Sequence, residues 1–445
     1  MRSSERRKIV VIGGGSSYTP EIIDGLIARS DDLALREVWL VDIPEGREKL
    51  EIVGGLAGRM VKKAGRPFAV KLTLDRREAL PEADFVITQM RVGGMAARVK
   101  DERIPLRHGV IGQETTGPGG FAKALRTIPA MLAICRDMEK LAPNAWMINF
   151  TNPSGIVTEA VSRHTAVKVV GLCNLPIGTE RWFQRRFEAA PEELFIEFAG
   201  LNHLVWVRRV VVRGVDVTQE LIGQLAEKGE WPRELLESLG AIPCGYHRYY
   251  YQKDEQLAHL QQADAEGKPT RAETILKIEK ELFAQYADLS VKEKPAALSQ
   301  RGGGGYSDAA LRLVSSVCHD RRDIQCVDTT NCGALSDLPA HSVVEVNCVI
   351  TSQGPIPLAV GALPPQLRGL LQQVKAYEEL TVEAAVTGDR KAALQALVAN
   401  PLVPSVRVAK LLLDDLLAAH ADHLPQFARR PGRRSAAGKR AKRPR

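Results

Sequence analysis

The sequence contains no apolar run of 18 or more residues, the length that a transmembrane helix needs, so we expect no membrane span. Cysteine is scarce and irregular: the seven residues are an odd number, and no Cys-x-x-Cys pair occurs. A disulfide framework is therefore not expected, and a reducing, cytoplasmic location is favoured. At the N-terminus, basic residues lead into an apolar run that ends in glycines, which indicates a buried strand rather than a signal peptide.

A net charge of +8 would suggest nucleic-acid binding, but the positive charge is concentrated at the C-terminus. Nine Lys and Arg residues and no acidic residue fall within 429–445, and removing nine positive charges leaves about −1 for the rest of the chain. We interpret this segment as a disordered basic tail. Contact of the tail with RNA or with membrane phosphates stays open, but we expect neither a nucleic-acid nor a membrane partner.

Apolar strands and helical stretches alternate through the first half of the chain. Helices are predicted at Pro20–Ser30 and Glu45–Ala64. Five short apolar runs are predicted as buried strands, namely Lys8–Ile12, Glu37–Ile43, Phe85–Met90, Trp146–Phe150 and Val167–Cys173. This alternation predicts an α/β fold whose N-terminal part is a Rossmann-like, doubly wound parallel sheet.

The pattern changes after about residue 197, where helices and strands no longer alternate regularly. The predicted elements of this part are a strand at Leu204–Arg213, an amphipathic helix at 272–289, a strand at Val343–Ile350 and a mostly helical region at 366–420. Together they indicate a second, mixed α+β domain. We therefore predict a Rossmann-like domain at 1–197, a second domain at 198–428 and the basic tail at 429–445.

A glycine-rich turn follows the first predicted strand and precedes the first helix. Glycines at this place let backbone amides approach a pyrophosphate, and the helix N-terminus adds partial positive charge. The third glycine of the GxGxxG pattern is replaced by Tyr18, but Asp42 ends the second strand, where a carboxylate binds a ribose hydroxyl and favours NAD over NADP. A plain glycine turn with a solvated Asp42 is the alternative. We assign six residues to a cofactor site, namely Gly13, Gly14, Gly15, Ser16, Asp42 and Arg91.

Polar segments punctuate the ends of the later strands, where an open α/β sheet places its ligand crevice. They are RVGGMAAR at 91–98, GQETTGPGG at 112–120, TNPSG at 151–155, GLCNLP at 171–176 and GLNHL at 200–204. Cys173 and His203 each follow an apolar strand, and a thiolate and an imidazole together could bind a divalent metal, with substrate oxygens completing the shell. The alternative is a core cysteine and a structural histidine, which are the more common uses of such residues.

The order and spacing of these segments resemble family 4 of the glycoside hydrolases, the NAD- and manganese-dependent glycosidases. The similarity runs from about Lys8 to about Leu424. The matching segments are VIGGGSSYTP, QMRVGG, GQETTGPGG, NFTNPSG, GLCNLP, GLNHL and NCGALSDLP. The resemblance implies an NAD-binding first domain, a second domain that binds substrate and Mn²⁺ or another divalent transition metal, and a homodimer or homotetramer.

The resemblance also implies roles for particular residues. Cys173 and His203 match the metal ligands of the family, and Tyr246 matches its tyrosine base, with Tyr249 as a competing candidate. Glu114 matches an acidic residue near the base and joins Tyr246 in the catalytic set. Four residues are implied to contact the substrate, namely Arg98, Asn152, Asn174 and Arg271. The sequence Cys173-Asn174-Leu175-Pro176 resembles the members of the family that act on 6-phospho-β-glucosides.

The family mechanism that the resemblance implies begins with oxidation of C3 of the sugar by NAD. Tyr246 then removes the C2 proton, the aglycone leaves from C1 by elimination, water adds, and the same NADH reduces C3 again. Conventional glycosidases use two carboxylates instead. The residues leave other functions open: a glycosidase of the same family with non-phosphorylated or other substrates, an NAD-dependent 2-hydroxyacid dehydrogenase, or a non-catalytic protein that senses NAD.

Overall fold

A computed structural model describes residues 6–302 and 305–428, so the predicted basic tail at 429–445 lies outside the described residues. The elements of the first half are β1 (Arg7–Ile12), α1 (Thr19–Ala28), β2 (Leu35–Val41), α2 (Arg47–Lys63), β3 (Ala69–Thr73), α3 (Arg76–Ala79), β4 (Phe85–Thr88), α4 (Gly94–Arg107), α5 (Gly117–Leu141), β5 (Trp146–Asn149), α6 (Ser154–His164), β6 (Lys168–Gly171) and α7 (Asn174–Phe187).

The second half contains β7 (Leu194–Leu201), β8 (Leu204–Val212), β9 (Val215–Asp216), α8 (Thr218–Glu227), α9 (Arg233–Leu239), β10 (Ile242–Pro243), α10 (Arg248–Tyr251), α11 (Lys253–Ala265), α12 (Arg271–Ala287), α13 (Tyr306–His319), β11 (Ile324–Thr330), β12 (Val343–Thr351), β13 (Gly354–Pro357), α14 (Pro365–Thr387), α15 (Arg390–Ala399) and α16 (Val406–Ala419). Within the described part of the chain, no helix has both the length and the apolar composition to cross a membrane.

The first six strands form a parallel sheet in the order β3-β2-β1-β4-β5-β6. This is the doubly wound order of a dinucleotide-binding fold, so the predicted Rossmann-like sheet is confirmed. Its strands read as short, continuous apolar runs because helices cover both faces. In β1, for example, Ile9, Val10 and Val11 are all fully buried.

The sheet does not end at the predicted boundary near residue 197. Strand β11 pairs antiparallel with β6, and β12, β7, β8 and β10 continue the same sheet beyond it. The second half is therefore mixed α+β, as predicted, but its strands extend the sheet of the first half. Helices α5, α6 and α14 pack against one another and share one hydrophobic core with both halves.

The predicted strands are present but shorter than expected on the side of the ligand crevice. Strand β4 ends at Thr88 rather than Met90, and β6 ends at Gly171 rather than Cys173. Parallel neighbours end at the same level, so the chain turns out of the sheet there and the polar residues that follow line the crevice. The predicted helical region at 366–420 is three helices, with breaks after Thr387 and Ala399.

Candidate active site

The glycine turn after β1 lies tightly against the end of β2. The amides of Gly13 and Gly14 both donate to the carbonyl of Val41, at 2.9 and 2.8 Å, and Gly13 has φ of +87°. A Cβ at Gly14 would lie 2.8 Å from both Leu40 Cβ and Val41 N, so only glycine allows this approach. The turn therefore packs closely against β2 just before α1, which is the place where a dinucleotide-binding fold brings phosphates to a helix N-terminus.

The carboxylate of Asp42 is held beside this turn. Its Oδ2 accepts the amide of Gly15 at 2.8 Å, and its Oδ1 accepts the amide of Ile43 at 2.9 Å. Each oxygen keeps a further lone pair, so the carboxylate can still accept a ribose hydroxyl. Ser16 completes the turn through a 3.0 Å bond from its amide to the carbonyl of Gly13. A glycine cradle with an acid at the second strand is the donor and acceptor set that NAD fits.

Helix α12 supports the same turn from the second half of the chain. Ser17 Oγ donates to Glu279 Oε1 at 2.8 Å, and the hydroxyl of Tyr286 donates to the carbonyl of Ser17 at 2.8 Å. Tyr18, which replaces the third glycine, is buried, with the guanidinium of Arg301 5.4 Å from its ring centroid. Sequence reasoning found none of these supporting contacts, because they join residues more than 260 positions apart.

Cys173 and His203 are both buried where their strands leave the sheet. Cys173 directly precedes α7, and its Sγ lies 3.8 Å from Asn174 Oδ1. His203 occupies the turn between β7 and β8 with a positive φ of 63°. Tyr246 lies close enough to Cys173 and Glu114 for both groups, when ionised, to raise its pKa, and its ring stacks on His203 at 4.1 Å between centroids. The structure thus places the two predicted ligands around one tyrosine.

The protonation states of His203 and Cys173 are compatible with binding a metal cation. Burial, followed by the charge of Lys123, lowers the pKa of His203 to about 3, so its imidazole is neutral and able to coordinate. Burial and the charge of Glu345 hold the pKa of Cys173 well above its usual range, so a thiolate there requires a positive partner. No group of three His, Cys, Asp or Glu residues that could hold a metal occurs in the described chain. A Cys–His pair with positions left for substrate oxygens fits a divalent transition metal.

Tyr246 is the tyrosine that contacts His203, one of the two predicted metal ligands. It lies in the 3-10 turn Gly245–His247, and its ring is nearly parallel to that of His203, at 5°. Burial, then the charges of Cys173 and Glu114, raise the pKa of Tyr246, and a hydrogen bond with Thr115 opposes this rise. The ring of Tyr249 lies 6.0 Å from that of Tyr246 and is tilted by 63°. Of the two tyrosines considered, Tyr246 therefore stacks directly on His203, and Tyr249 packs against Tyr246.

Glu114 is surrounded by three cations. Arg91 forms a salt bridge with it, the Arg98 Nη1 lies 3.1 Å from its Oε1, and Lys123 Nζ lies 3.0 Å from its Oε2. Burial raises the pKa of Glu114, but the charges of Arg91, Lys123 and Arg98 outweigh it and keep the pKa well below the usual range. Arg91 was predicted for the cofactor site, but its side chain forms a salt bridge with Glu114. Arg98 also binds Glu102, through a 2.8 Å bond from its Nε.

Lys123 is a site residue that sequence reasoning missed. Its side chain is 3% exposed, and burial together with the charge of Arg91 lowers its pKa to about 7. A lysine in a helix is usually solvated, so this position looked unremarkable from the sequence. The available signal was that Lys123 and Arg126 are the two charged residues of an otherwise apolar stretch, FAKALRTIPAML at 121–132.

The other three predicted substrate residues, Asn152, Asn174 and Arg271, make their described contacts outside the Glu114 cluster. Asn152 follows β5 and donates its Nδ2 to the carbonyl of Phe150 at 3.4 Å. Asn174 is the first residue of α7 and is half-buried beside Cys173. Arg271 is exposed at the start of α12, and its Nη2 donates to the carbonyl of Arg301 at 3.1 Å. Arg271 is thus at the rim of the crevice rather than in its buried centre.

Helix α12 is nevertheless anchored to the cluster at its first turn. The amide of Ala272, next to Arg271, donates to Glu102 Oε2 at 2.9 Å, and Glu102 Oε1 accepts the bond from Arg98. One carboxylate therefore connects the start of α12 with an arginine of the buried cluster. This contact brings the backbone at Arg271 close to Arg98, although the two predicted substrate arginines lie 173 positions apart in the sequence.

Comparison with known proteins matches two family models, family 4 glycosyl hydrolase over residues 8–188 and its C-terminal domain over 198–403. A probable 6-phospho-β-glucosidase of Bacillus subtilis is 54% identical over 433 residues, covering 94% of this chain and 98% of the relative. A 6-phospho-β-glucosidase of Escherichia coli is 41% identical over 440 residues, covering 96% and 98%.

Among solved structures, the 6-phospho-β-glucosidase of Thermotoga maritima, determined with manganese, NAD⁺ and glucose-6-phosphate, superposes with a TM-score of 0.87. It is 38% identical, and the match covers 94% of this chain and 99% of that one. Fold and sequence therefore agree along nearly the whole length of both proteins.

Proposed function

The chain belongs to family 4 of the glycosyl hydrolases, and from that premise we propose that it hydrolyses 6-phospho-β-glucosides with the help of NAD and a divalent transition metal. Full-length relatives that carry this activity in their names support the substrate class. The observation that carries the proposal is the stacking of Tyr246 on His203, close to the Cys173 thiol and the Glu114 carboxylate.

The two bound groups would be held by residues already described. The glycine turn and Asp42 would hold NAD, and Cys173 and His203 would hold the metal together with sugar oxygens. When bound, NAD exchanges a hydride with the sugar and the metal polarises sugar oxygens as a Lewis acid. The neutral imidazole of His203 is already in the form that coordinates a metal, whereas Cys173 must lose its proton on loading.

Tyr246 is assigned as the base that removes the C2 proton. A base must reach the proton within hydrogen-bond distance, and Tyr246 lies beside the histidine that would hold the metal on the sugar. Its pKa is raised by burial and by neighbouring negative charge, so the phenol needs nearby positive charge to ionise near neutral pH. Arg91 and Arg98, and Lys123 while it is protonated, offset part of that negative charge and so favour the phenolate.

Recognition of the 6-phosphate is assigned to arginines at the rim, with Arg271 as the leading residue. Its guanidinium is exposed and has one described hydrogen bond, to the carbonyl of Arg301, so most of its donors are free to bind an anion. Asn174 beside Cys173 is assigned to the sugar and to the preference for β-linked substrates. An assembly of two or four copies is also part of the proposal.

The substrate class is tested with nitrophenyl β-glucoside, its 6-phosphate and the α-anomer of that phosphate, in the presence of NAD, Mn²⁺ and a reductant. We expect turnover of the β-linked phosphate alone and no lasting NADH absorbance, because the cofactor is regenerated in each cycle. Equal turnover of the phosphorylated and plain β-glucosides would contradict the phosphate assignment. Stoichiometric accumulation of NADH would favour a dehydrogenase.

The mechanism is tested by hydrolysis in D₂O, because a base that removes the C2 proton exposes that position to solvent. We expect deuterium at C2 of the released sugar phosphate. Tyr246→Phe should lose both this exchange and turnover while it retains NAD binding, since phenylalanine has no proton-accepting oxygen. Tyr249→Phe is the matched control and should remain active. A product without deuterium at C2 contradicts the elimination mechanism.

A further inference from the structure

Four residues form a straight row across the sheet, one on each of four neighbouring strands. Gly171 of β6 is the ladder partner of Asp328 of β11, Asp328 is the partner of Glu345 of β12, and Glu345 is the partner of Gly200 of β7. Cys173 follows two residues after Gly171, and His203 follows three residues after Gly200. The row therefore joins the two strands that lead to the predicted metal ligands.

The two acids of this row are fully buried, and Asp328 has room because its neighbour on β6, Gly171, carries no side chain. A Cβ at Gly171 would lie 2.8 Å from both Cβ and Oδ2 of Asp328 and 2.3 Å from Thr158 Oγ1. Gly171 therefore leaves the room that Asp328 occupies. Asp328 and Glu345 have no exposed surface. Removing a carboxyl group from water costs free energy, so buried carboxyl oxygens are normally hydrogen-bonded.

Each acid binds a segment that carries site residues. Asp328 Oδ2 accepts the hydroxyl of Ser154 at 2.7 Å, and Ser154 begins α6 two residues after Asn152. Glu345 Oε1 accepts the Nδ2 of Asn202 at 3.3 Å, and Asn202 directly precedes His203. Through these two hydrogen bonds, the acid pair is attached to both segments, TNPSG at 151–155 and GLNHL at 200–204.

The two acids are also direct partners in the ladder between β11 and β12. Asp328 Oδ1 and Glu345 Oε2 are buried and have no donor among the described residues, so a proton held on one carboxyl is what can bond the two groups to each other. Such a bond requires one proton between them. Burial raises the pKa of both carboxyl groups above their usual range, which favours a pair that keeps one proton.

The backbone alone holds this part of the sheet weakly. Within the described chain, β6 and β11 share one ladder pair, Asp328 with Gly171, and β12 and β7 share two, whereas β11 and β12 share seven. Side-chain bonds must therefore define how the parallel half, which carries Cys173, sits against the antiparallel half, which carries His203. The bond from Asn202 to Glu345 crosses the junction between β7 and β12, and the bond from Ser154 to Asp328 ties β11 to the start of α6 in the parallel half.

We propose that Asp328 and Glu345 act as a positioning pair that sets the spacing of Cys173 and His203 for metal binding. The inference rests on the proposed function, which assigns those two residues as the metal ligands. Neither acid is assigned a contact with substrate or metal. Partners that orient metal ligands in this way typically change metal affinity or activity by about 10- to 100-fold when they are removed.

The experiment compares two substitutions of one residue. Glu345→Leu removes every bond of the pair, whereas Glu345→Gln can still donate to Asp328 and accept from Asn202. Free Mn²⁺ is measured by electron paramagnetic resonance in a titration of the NAD-loaded protein. We expect the Mn²⁺ dissociation constant of Glu345→Leu to rise about 10- to 100-fold, with Glu345→Gln close to wild type. NAD affinity, measured by calorimetry, should change less than about twofold in both variants, because Asp42 and the glycine turn lie across the parallel sheet.

Asp137→Asn is the matched control for loss of a buried carboxylate. Asp137 is 7% exposed and binds Arg76 and Arg77, away from the row, so this variant should lose stability without losing Mn²⁺ affinity. If Glu345→Leu fails to fold, Ser154→Ala tests the pair through the loss of one bond to Asp328 and should still raise the Mn²⁺ dissociation constant.

The outcomes separate the inference from the function on which it rests. A folded Glu345→Leu protein with wild-type Mn²⁺ affinity overturns the positioning pair, and so does an unchanged Ser154→Ala protein where the leucine variant does not fold. If Cys173→Ser abolishes Mn²⁺ binding in the same titration, an unchanged affinity in the Glu345 or Ser154 variant refutes the positioning pair and leaves the metal assignment intact. If Cys173→Ser also binds Mn²⁺ normally, the metal assignment itself is wrong and the inference falls with it.

Discussion

The buried ammonium of Lys123 gives a prediction that needs no substrate. In the folded protein the pKa of Lys123 is lowered to about 7 from 10.5, because burial and the charge of Arg91 outweigh the attraction of Glu114. In the unfolded chain the same lysine is solvated and has its ordinary pKa. Between these two values the unfolded state binds a proton that the folded state does not, so the free energy of unfolding rises with pH in that window.

The size of the effect follows from the two pKa values. A difference of about 3.5 units corresponds to about 5 kcal/mol of destabilisation, which is fully present below the folded pKa. Integration from pH 7 to pH 9 gives a gain of about 2 kcal/mol in unfolding free energy. Two other ionisable neighbours of Lys123 do not titrate in this window, because the pKa of His203 is lowered to about 3 and the pKa of Glu114 is held well below its usual range.

The assay is urea unfolding of the ligand-free protein and of Lys123→Met at pH 7, 8 and 9. Methionine retains the length of the side chain and removes the charge, so the difference between the two proteins isolates this group. We expect wild type to gain about 2 kcal/mol relative to the variant across the range. Lys294→Met is the control, because the pKa of Lys294 is raised by Glu21 and Asp24 and no slope is expected below pH 9. Parallel pH curves for wild type and Lys123→Met would refute the reasoning.

Three further predictions concern the two ends of the crevice. Cys173→Ser and His203→Ala should each abolish activity with NAD affinity preserved, and full wild-type activity in a chelator would contradict the metal assignment. Arg271→Ala should raise the KM for the phosphorylated substrate by about 10- to 150-fold, from the loss of a charge-assisted contact, and an unchanged KM would contradict the phosphate assignment. In Gly14→Ala a Cβ 2.8 Å from Val41 N must displace the turn, so calorimetry should show at least about tenfold weaker NAD binding; unchanged affinity would mean that the turn is not the cofactor site.

The parallel half of the fold was predictable because its strands are buried on both faces and read as apolar runs. Strand β3 was not predicted, since its five residues alternate weakly and are mostly exposed at the edge of the sheet. The continuation of the sheet past residue 197 was not predicted either. It depends on β11 pairing with β6, which brings together residues 157 positions apart, and no local pattern signals that pairing.

Site residues were predictable where polar side chains directly follow a strand in the sequence, but not where their role depends on contacts between distant parts of the chain. The segment that contains Tyr246 also contains Tyr249, and a choice between them required the stacking on His203. The strand at Val343–Ile350 was predicted, but Glu345 within it was passed over. A single acid among valines is itself a signal, because a charged group in a buried strand must have a partner.

The row that joins the two halves of the sheet also bears on how the protein is made. The ribosome completes β6 long before β11, and 157 residues separate Gly171 from the residue that pairs with it. At typical elongation rates this delay is roughly 10 to 30 s. For that time the outer edge of β6 has no strand beside it in the emerging chain, and exposed edges invite pairing with other chains. A nascent chain halted before residue 324 should therefore bind chaperones more strongly than one halted after residue 351, and ribosome-bound chains of the two lengths allow that comparison.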